Sequence, residues 1–460
     1  MRTLIQRLDL NLSKRQLLTL LIIDLVIILL LFFSALRGSI YLFLPLVIGI
    51  SFVLLLNYKL SVYLLLISLF IRYDIYFMGK FFVPIDLISL ILVFSFLGYF
   101  LTSRSLTFRR TPLDKPIYLF LVILGLSLVN TIDFSSGIRV YIWHLQVFVI
   151  FYLVSWGIDS KDVHTFLNFF LGLASLHTIY SLFQFWHASG NVRAFGLGGP
   201  SVADLTTAGL IISYSFYLFE PLDKKRLTYG LVFLLLLGGL LVTQTRGALM
   251  SFGLIYFLLS FIALKRARNL GFLFSKRRIL TSLSLALIAI ALLLLSYPDL
   301  LRRVHHGFYL LPGKYVETTQ IRLYLWSLAL KSFLHNPLLG IGLGQFYNLS
   351  QVFPDLRFSP LVFFIYGLDP HNIVLYYLSS AGTLGILALF YFFFSALKIG
   401  WMKFRQSLTP QDTSITFALL GIVLFVFVSS FYAGEWFYRV SGIEFLFFLG
   451  LLNVFKPKAE

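Results

Sequence analysis

Residues 298–371 read PDLLRRVHHGFYLLPGKYVETTQIRLYLWSLALKSFLHNPLLGIGLGQFYNLSQVFPDLRFSPLVFFIYGLDPH. This stretch decides the fold, because it is the one long interruption in a chain that is otherwise a succession of apolar runs. It holds a helical segment carrying Arg322, a turn punctuated by Gly340, Gly342 and Gly344, and His371 directly before the next apolar run. A chain built almost wholly of membrane helix has little reason to carry such a loop unless the loop works. Where it lies and what it faces therefore bear directly on function.

Outward from it, the composition is that of an integral membrane protein. Of 460 residues, 59% are hydrophobic and 12% charged, against about 25% charged in soluble domains. About 20 apolar residues span a bilayer, and runs of that length recur along the chain. The first, Gln16 to Leu36, is too long for a signal-peptide core and lacks a small-x-small site, so a retained anchor is expected. The chain has no cysteine, which excludes disulfides, thiolate metal sites and cysteine nucleophiles. A net charge of +18 would suggest nucleic acid in a soluble protein. Here no nucleic acid is expected, because membrane proteins collect Lys and Arg on cytoplasmic loops.

The fold class expected is an all-α polytopic membrane protein with about 14 spans, forming one membrane domain over residues 1–460. The spans fall near 16–36, 39–56, 60–78, 82–102, 116–132, 138–158, 164–186, 203–219, 227–244, 247–264, 279–297, 372–397, 413–432 and 438–455. With the amino terminus inside, about 24 basic residues fall inside and about 13 outside, as the positive-inside rule requires. Both termini are then cytoplasmic and the long loop 298–371 periplasmic or extracellular. Roughly half of the outside basic residues lie in that loop, against the rule. No fixed-period repeat and no matching halves with paired broken helices are visible, whereas inverted repeats are frequent in transporters.

Five places could carry chemistry. Arg246, in ThrGlnThrArgGly (243–247), sits at the outer turn of a tight hairpin, where an arginine snorkels to the interface or clamps a phosphate. Arg322 shares one side of an amphipathic surface helix with Trp326, four residues on. Ile321, Leu325, Trp326, Leu328 and Leu330 give that helix its apolar face. The arginine is an ordinary surface charge or an anion ligand. AsnProLeuLeuGlyIleGlyLeuGlyGlnPhe (336–346) ends the helix at Pro337, and its glycines have packing as their default role. In AspProHisAsn (369–372), Asp369 reads as an N-cap and Pro370 as the first helical residue. His371 would then project from the first turn, where the positive helix end favours an anion nearby and a neutral imidazole able to accept a proton. A simple interfacial histidine is the other reading. Arg193, in ArgAlaPheGlyLeuGlyGlyProSer (193–201), lies on the same outer side and could join an anion site. Arginines at a membrane surface suit a lipid-linked phosphate or pyrophosphate, and a nearby histidine suits proton transfer.

ThrArgGly (245–247), ArgLeuTyrLeuTrp (322–326), the 336–346 turn and ProHisAsn (370–372) together resemble the O-antigen ligase/polymerase superfamily, in the same order across roughly residues 190–390. The 193–201 loop is similar to a family element as well, although Ser201 stands where asparagine often follows the proline. The resemblance implies an inverting, metal-independent glycosyltransferase of the GT-C type, without cofactor, in the bacterial inner membrane. It implies an undecaprenyl-pyrophosphate-linked glycan as donor. The acceptor is lipid A–core for a ligase, or a lipid-linked repeat unit for a polymerase. Arg246 and Arg322 would bind the pyrophosphate with Arg193 beside them. His371 would activate or position the acceptor hydroxyl, supported by Trp326, Asn372 and Asp369. A metal-dependent transferase is disfavoured, because Asp299, Glu317, Asp355 and Asp369 form no clustered carboxylate pair. The alternatives of a different class are a structural membrane protein and a lipid or polysaccharide transporter or flippase. A flippase would line a path with ionisable groups, yet Asp24, Asp86, His144, His177 and Glu444 are scattered in the sequence.

Overall fold

A computed structural model describes residues 58–71, 75–77, 80–82, 84–102, 110–188, 193–197, 202–270, 278–284, 287, 318–353, 369–431 and 439–457. Twelve helices suffice to place the site: α1 Tyr58–Leu69, α2 Pro84–Thr102, α3 Asp114–Ser127, α4 Phe134–Gly157, α5 Val163–His187, α6 Val202–Phe219, α7 Asp223–Val242, α8 Arg246–Leu270, α9 Thr318–His335, α10 Ile373–Gln406, α11 Pro410–Ser429 and α12 Arg439–Val454. Among the described residues, seven helices are long and apolar enough to cross a membrane, and α1, α12 and part of α2 are shorter apolar helices. The expected runs 16–36 and 39–56 lie outside the described residues, as do most of 279–297 and residues 298–317 and 354–368 of the long loop.

One expected span is corrected. The run 60–78 is helical only to Leu69, and β1 (Ile75–Phe77) pairs antiparallel with β2 (Lys80–Phe82), Ile75 opposite Phe82. Arg72 and Asp74 break the apolar run in the sequence, and aromatic residues either side of Gly79 favour a hairpin.

The described residues fall into two compact units, one within residues 1–65 and 87–106 and the other within 66–86 and 107–460. In the first, Tyr58 stacks on Tyr99 at 5.7 Å between ring centroids and Ser61 donates to Ser95 (2.7 Å). The second holds the bundle that carries the candidate site. Its helices start on designed caps: the Asp133 carboxylate accepts from Ser136 N–H for α4, and Thr409 Oγ1 accepts from Asp412 N–H for α11, whose first residue is Pro410. The two hydrogen bonds from Ser136 hold the Asp133 carboxyl below its usual range. α6 and α11 are buried on nearly all sides, so their apolar residues lie all round the helix rather than along one stripe. At the far end of α12, Lys403 Nζ donates to the carbonyls of Leu452, Asn453 and Phe455 (2.6–2.7 Å), a cation on the negative helix end.

Cross-helix contacts set directions. Gly209 lies against Leu236 and Phe216 against Tyr229, so α6 and α7 are antiparallel. Phe219 meets Phe417 while Ile211 meets Gly421, so α6 and α11 are antiparallel. Phe404 meets Phe417 while Phe390 meets Phe427, so α10 and α11 are antiparallel too. One end of the bundle therefore gathers the start of α6, the end of α7, the start of α8, the start of α10 and the end of α11.

Candidate functional site

The glycine turn after α9 is where the long loop grips the bundle. α10 is not continuous: Gly382 has φ 65° and ψ −159°, which breaks it into two helical pieces. The break frees backbone groups, and the turn satisfies them. Ile341 N–H donates to Ser379 O (2.9 Å) and Gly342 N–H to Ser380 O (3.1 Å). In return Thr383 N–H donates to Pro337 O (2.8 Å) and Leu384 N–H to Leu338 O (3.3 Å). An unsatisfied backbone group in hydrocarbon costs several kcal/mol, so irregular backbone survives there only when protein pairs it. The crossing needs two glycines: a Cβ on Gly340 would sit 2.4 Å from Ser379 O, and one on Gly382 2.4 Å from Leu338 O.

Two side chains that sequence reasoning passed over lock this turn in place. Gln345 is fully buried. Its Oε1 accepts from Ile132 N–H (3.1 Å) and Asp133 N–H (2.9 Å), and its Nε2 donates to Asp133 O (2.9 Å). Asn130 Nδ2 donates to Gly340 O (2.9 Å). The turn thus joins α9, the start of α4 and the break in α10.

α9 buries Leu325, Leu328, Ala329 and Ser332, and it packs on α10. Leu330, expected on the apolar face, points outward with Leu323 and Leu334, because the buried stripe follows a three-and-four spacing that Leu330 falls outside. Trp326 Nε1 donates to Pro370 O (2.9 Å), which ties α9 to the segment before α10. Arg322 is exposed, one turn before Trp326.

The expected cap of α10 is corrected. Asp369 is not the N-cap and His371 is not in the first helical turn. Asn372 is the cap: its Oδ1 accepts from Leu375 N–H (3.0 Å) and its Nδ2 donates to Phe431 O (3.2 Å). Ile373 N–H donates to Ser430 O (2.8 Å), fastening the start of α10 to the end of α11. Buried Asp369 turns the chain instead. Its Oδ1 accepts from His371 N–H (2.6 Å) and lies 3.2 Å from His371 Nδ1. His371 takes φ 47°, left-handed for a residue with a side chain, and its side chain is 35% exposed. A carboxylate at Nδ1 favours the Nδ1–H tautomer and leaves the Nε2 lone pair available as a base.

Arg246 opens α8, and its side chain lies outside the described residues. Two residues earlier Gln244 has φ 54°. Gln244 and His371 are the two non-glycine residues with positive φ among the described residues, and each stands two places before a helix that begins at this end of the bundle. Such outliers cluster at functional sites. Arg193 is exposed, on a strip held by Ala194 N–H to Val242 O (3.2 Å) and Gly196 N–H to Gln184 Oε1 (2.9 Å). The strip is thereby bonded to the residue that ends α7, four before Arg246. Arg193, the first residue of α8 and the Asp369–His371–Asn372 turn with Trp326 all lie at one end of the bundle. Among the described residues, no three His, Asp or Glu side chains converge on a metal-sized point.

A search of curated proteins found no match. Residues 231–390 match the family model described as O-Antigen ligase. The matched segment runs from within α7 through Arg246, Arg322, the glycine turn and His371 to beyond the break in α10, and over these residues the chain is similar to the O-antigen ligase family.

Proposed function

We propose that the protein is an O-antigen ligase-like enzyme of the GT-C type. It transfers a glycan from undecaprenyl pyrophosphate to lipid A–core at the periplasmic face of the bacterial inner membrane, with about 14 spans and both termini cytoplasmic. The observation that carries the reading is the buried Asp369 against Nδ1 of a left-handed, half-exposed His371, at the bundle end where α8 begins with Arg246.

The chemistry is a single displacement. The acceptor hydroxyl oxygen attacks the anomeric carbon from the side opposite the pyrophosphate, and the carbon–oxygen bond to pyrophosphate breaks with its electron pair leaving on the pyrophosphate. The configuration inverts. The hydroxyl proton passes to His371 Nε2, a general base oriented by Asp369. Arg246 and Arg322, with Arg193 beside them, meet the growing negative charge with bidentate guanidinium groups, which removes the need for a metal. Trp326 and Asn372 hold the turn that presents the histidine.

A flippase reading finds little support in the broken helix. Discontinuous helices serve transporters by leaving backbone groups for the substrate. Here the glycine turn takes four of those groups. The test is in vitro transfer from lipid-linked glycan to lipid A–core with His371→Ala and Arg246→Ala. Both variants are expected to reach the membrane folded and to lose transfer; normal transfer by both would sink the site assignment.

A further inference from the structure

Asp204 and Glu444 are 240 positions apart in the numbering, yet the bundle brings them together. Asp204 lies in the first turn of α6 and Glu444 in α12. Both line a cleft walled by Ile422, Phe425, Val426 and Phe445. The cleft has about 300 Å³ of space, open solvent included, but its interior admits only about one water-sized body. Ser441 Oγ donates to Asp204 Oδ2 (3.2 Å). Glu444 is 5% exposed, and its charged neighbour is Asp204. Among the described residues it makes no hydrogen bond. No Lys, Arg or His is among the residues lining the cleft.

Two carboxyl groups facing each other in a bundle interior, with no cation beside them among the described residues, are costly; the penalty for one unpaired buried charge is several kcal/mol. Intramembrane carboxylates ordinarily mark an ion or proton site. We propose that Asp204, Glu444 and Ser441 bind one monovalent cation, Na⁺ or a proton in its place. The donors are all oxygen, and the space is too small for a sugar or a phosphate. Calcium takes six to eight oxygen ligands and magnesium keeps several waters, whereas the lining offers two carboxylates and the hydroxyls of Ser429 and Ser441. Of the helices around it, α6 supplies Asp204, α12 supplies Glu444 and Ser441, and α11 supplies Ser429, so the pair is the titratable part of the lining. The residue after Ser429 holds the start of α10 through Ser430 O. The cation therefore steadies the end of α11 on which the histidine turn rests. This site stands whether or not the transferase reading does.

The test is thermal unfolding of the purified full-length protein in lipid nanodiscs, with Na⁺ exchanged for choline at constant ionic strength, at mildly acidic and mildly alkaline pH. If Na⁺ is the occupant, it raises the unfolding temperature at alkaline pH by about 5 °C. If the proton is, Na⁺ has no effect and the unfolding temperature drops by a similar amount from acidic to alkaline pH. Either response disappears in Glu444→Gln and in Asp204→Asn. Ser441→Ala keeps both charges and is expected to raise the half-saturating cation concentration about tenfold. A wild type indifferent to both Na⁺ and pH overturns the proposal, as does a response that persists undiminished in all three variants.

Discussion

His371 is held in a backbone conformation that costs about 1–3 kcal/mol for a residue with a side chain, and the buried Asp369 carboxylate bonded to its N–H offsets that cost. The same oxygen faces Nδ1, so one carboxylate sets both the turn and the tautomer. These roles can be separated. Asparagine at 369 can still accept the His371 N–H but does not select the Nδ1–H form. Asp369→Asn is therefore expected to reduce transfer by about 10²–10⁴-fold with an unfolding temperature close to wild type, whereas Asp369→Ala lowers both. Equal losses of stability and transfer in the two variants would reduce Asp369 to a structural residue. At Arg322 the prediction concerns geometry rather than charge. Removing a donor aimed at a developing anion costs about 2.7–4 kcal/mol, roughly 10²–10³-fold, and lysine supplies the charge without the fork. Arg322→Ala is expected to lose that much transfer and Arg322→Lys to recover only part of it. Full recovery in steady-state kinetics would mean that bidentate contact is not needed. Arg322 and His371 were legible in the sequence as residue types in an ordered set of motifs. The division of labour between Asp369 and Asn372 was not, because Asp and Asn are both good caps and only the sign of φ at 371 decides between them.

The break in α10 is the element on which the site depends. The apolar run from residue 372 reads as one straight span, and length and hydropathy alone carry no sign that it is interrupted. The local signal was there in SerSerAlaGlyThr (379–383), a cluster of small residues inside a run of large ones, which permits close backbone approach. It pointed to no partner, since the partner is the 336–344 turn and the bonds between them are all main-chain. The role of Gln345 was hidden for the same reason: its partners are mostly backbone groups at 132 and 133. The packing role first assigned to the glycines is the one they have here, at the centre of the site's support. Gly382→Ala and Gly340→Ala each force a Cβ to within 2.4 Å of main-chain atoms at positive φ, and each is expected to cost at least about 2 kcal/mol. Gly172 is the control. It is helical with nothing near its missing Cβ, so Gly172→Ala is expected to be neutral or to stabilise by up to about 1 kcal/mol. Unfolding temperatures in detergent read all three, and a tolerant Gly382→Ala would show that the helix can close without the turn.

Across the whole molecule, the length and spacing of the apolar runs recovered most of the described helices. Ten of the fourteen expected runs correspond closely to a helix, from 82–102 onward, while 60–78 departs from expectation because Arg72 and Asp74 interrupt its apolar run and a short aromatic hairpin follows. The pairing of Asp204 with Glu444 was invisible, since helix packing, not sequence distance, brings α6 beside α12. The same limit applies to the acceptor. Every residue in the proposed site is assigned to the donor's pyrophosphate or to the attacking hydroxyl, and those parts are common to a ligase and a polymerase. A polymerase uses the growing glycan's own lipid-linked repeat unit as acceptor, and a ligase needs lipid A–core. The expected result for purified protein given lipid-linked repeat units alone is no change in chain length, with transfer starting when lipid A–core is added. Longer lipid-linked chains from repeat units alone would instead make the enzyme a polymerase. His371→Ala should abolish whichever product forms, because the proton leaves an acceptor hydroxyl in both reactions. The acceptor assay therefore tests the substrate and the variant tests the site, and either can fail without the other.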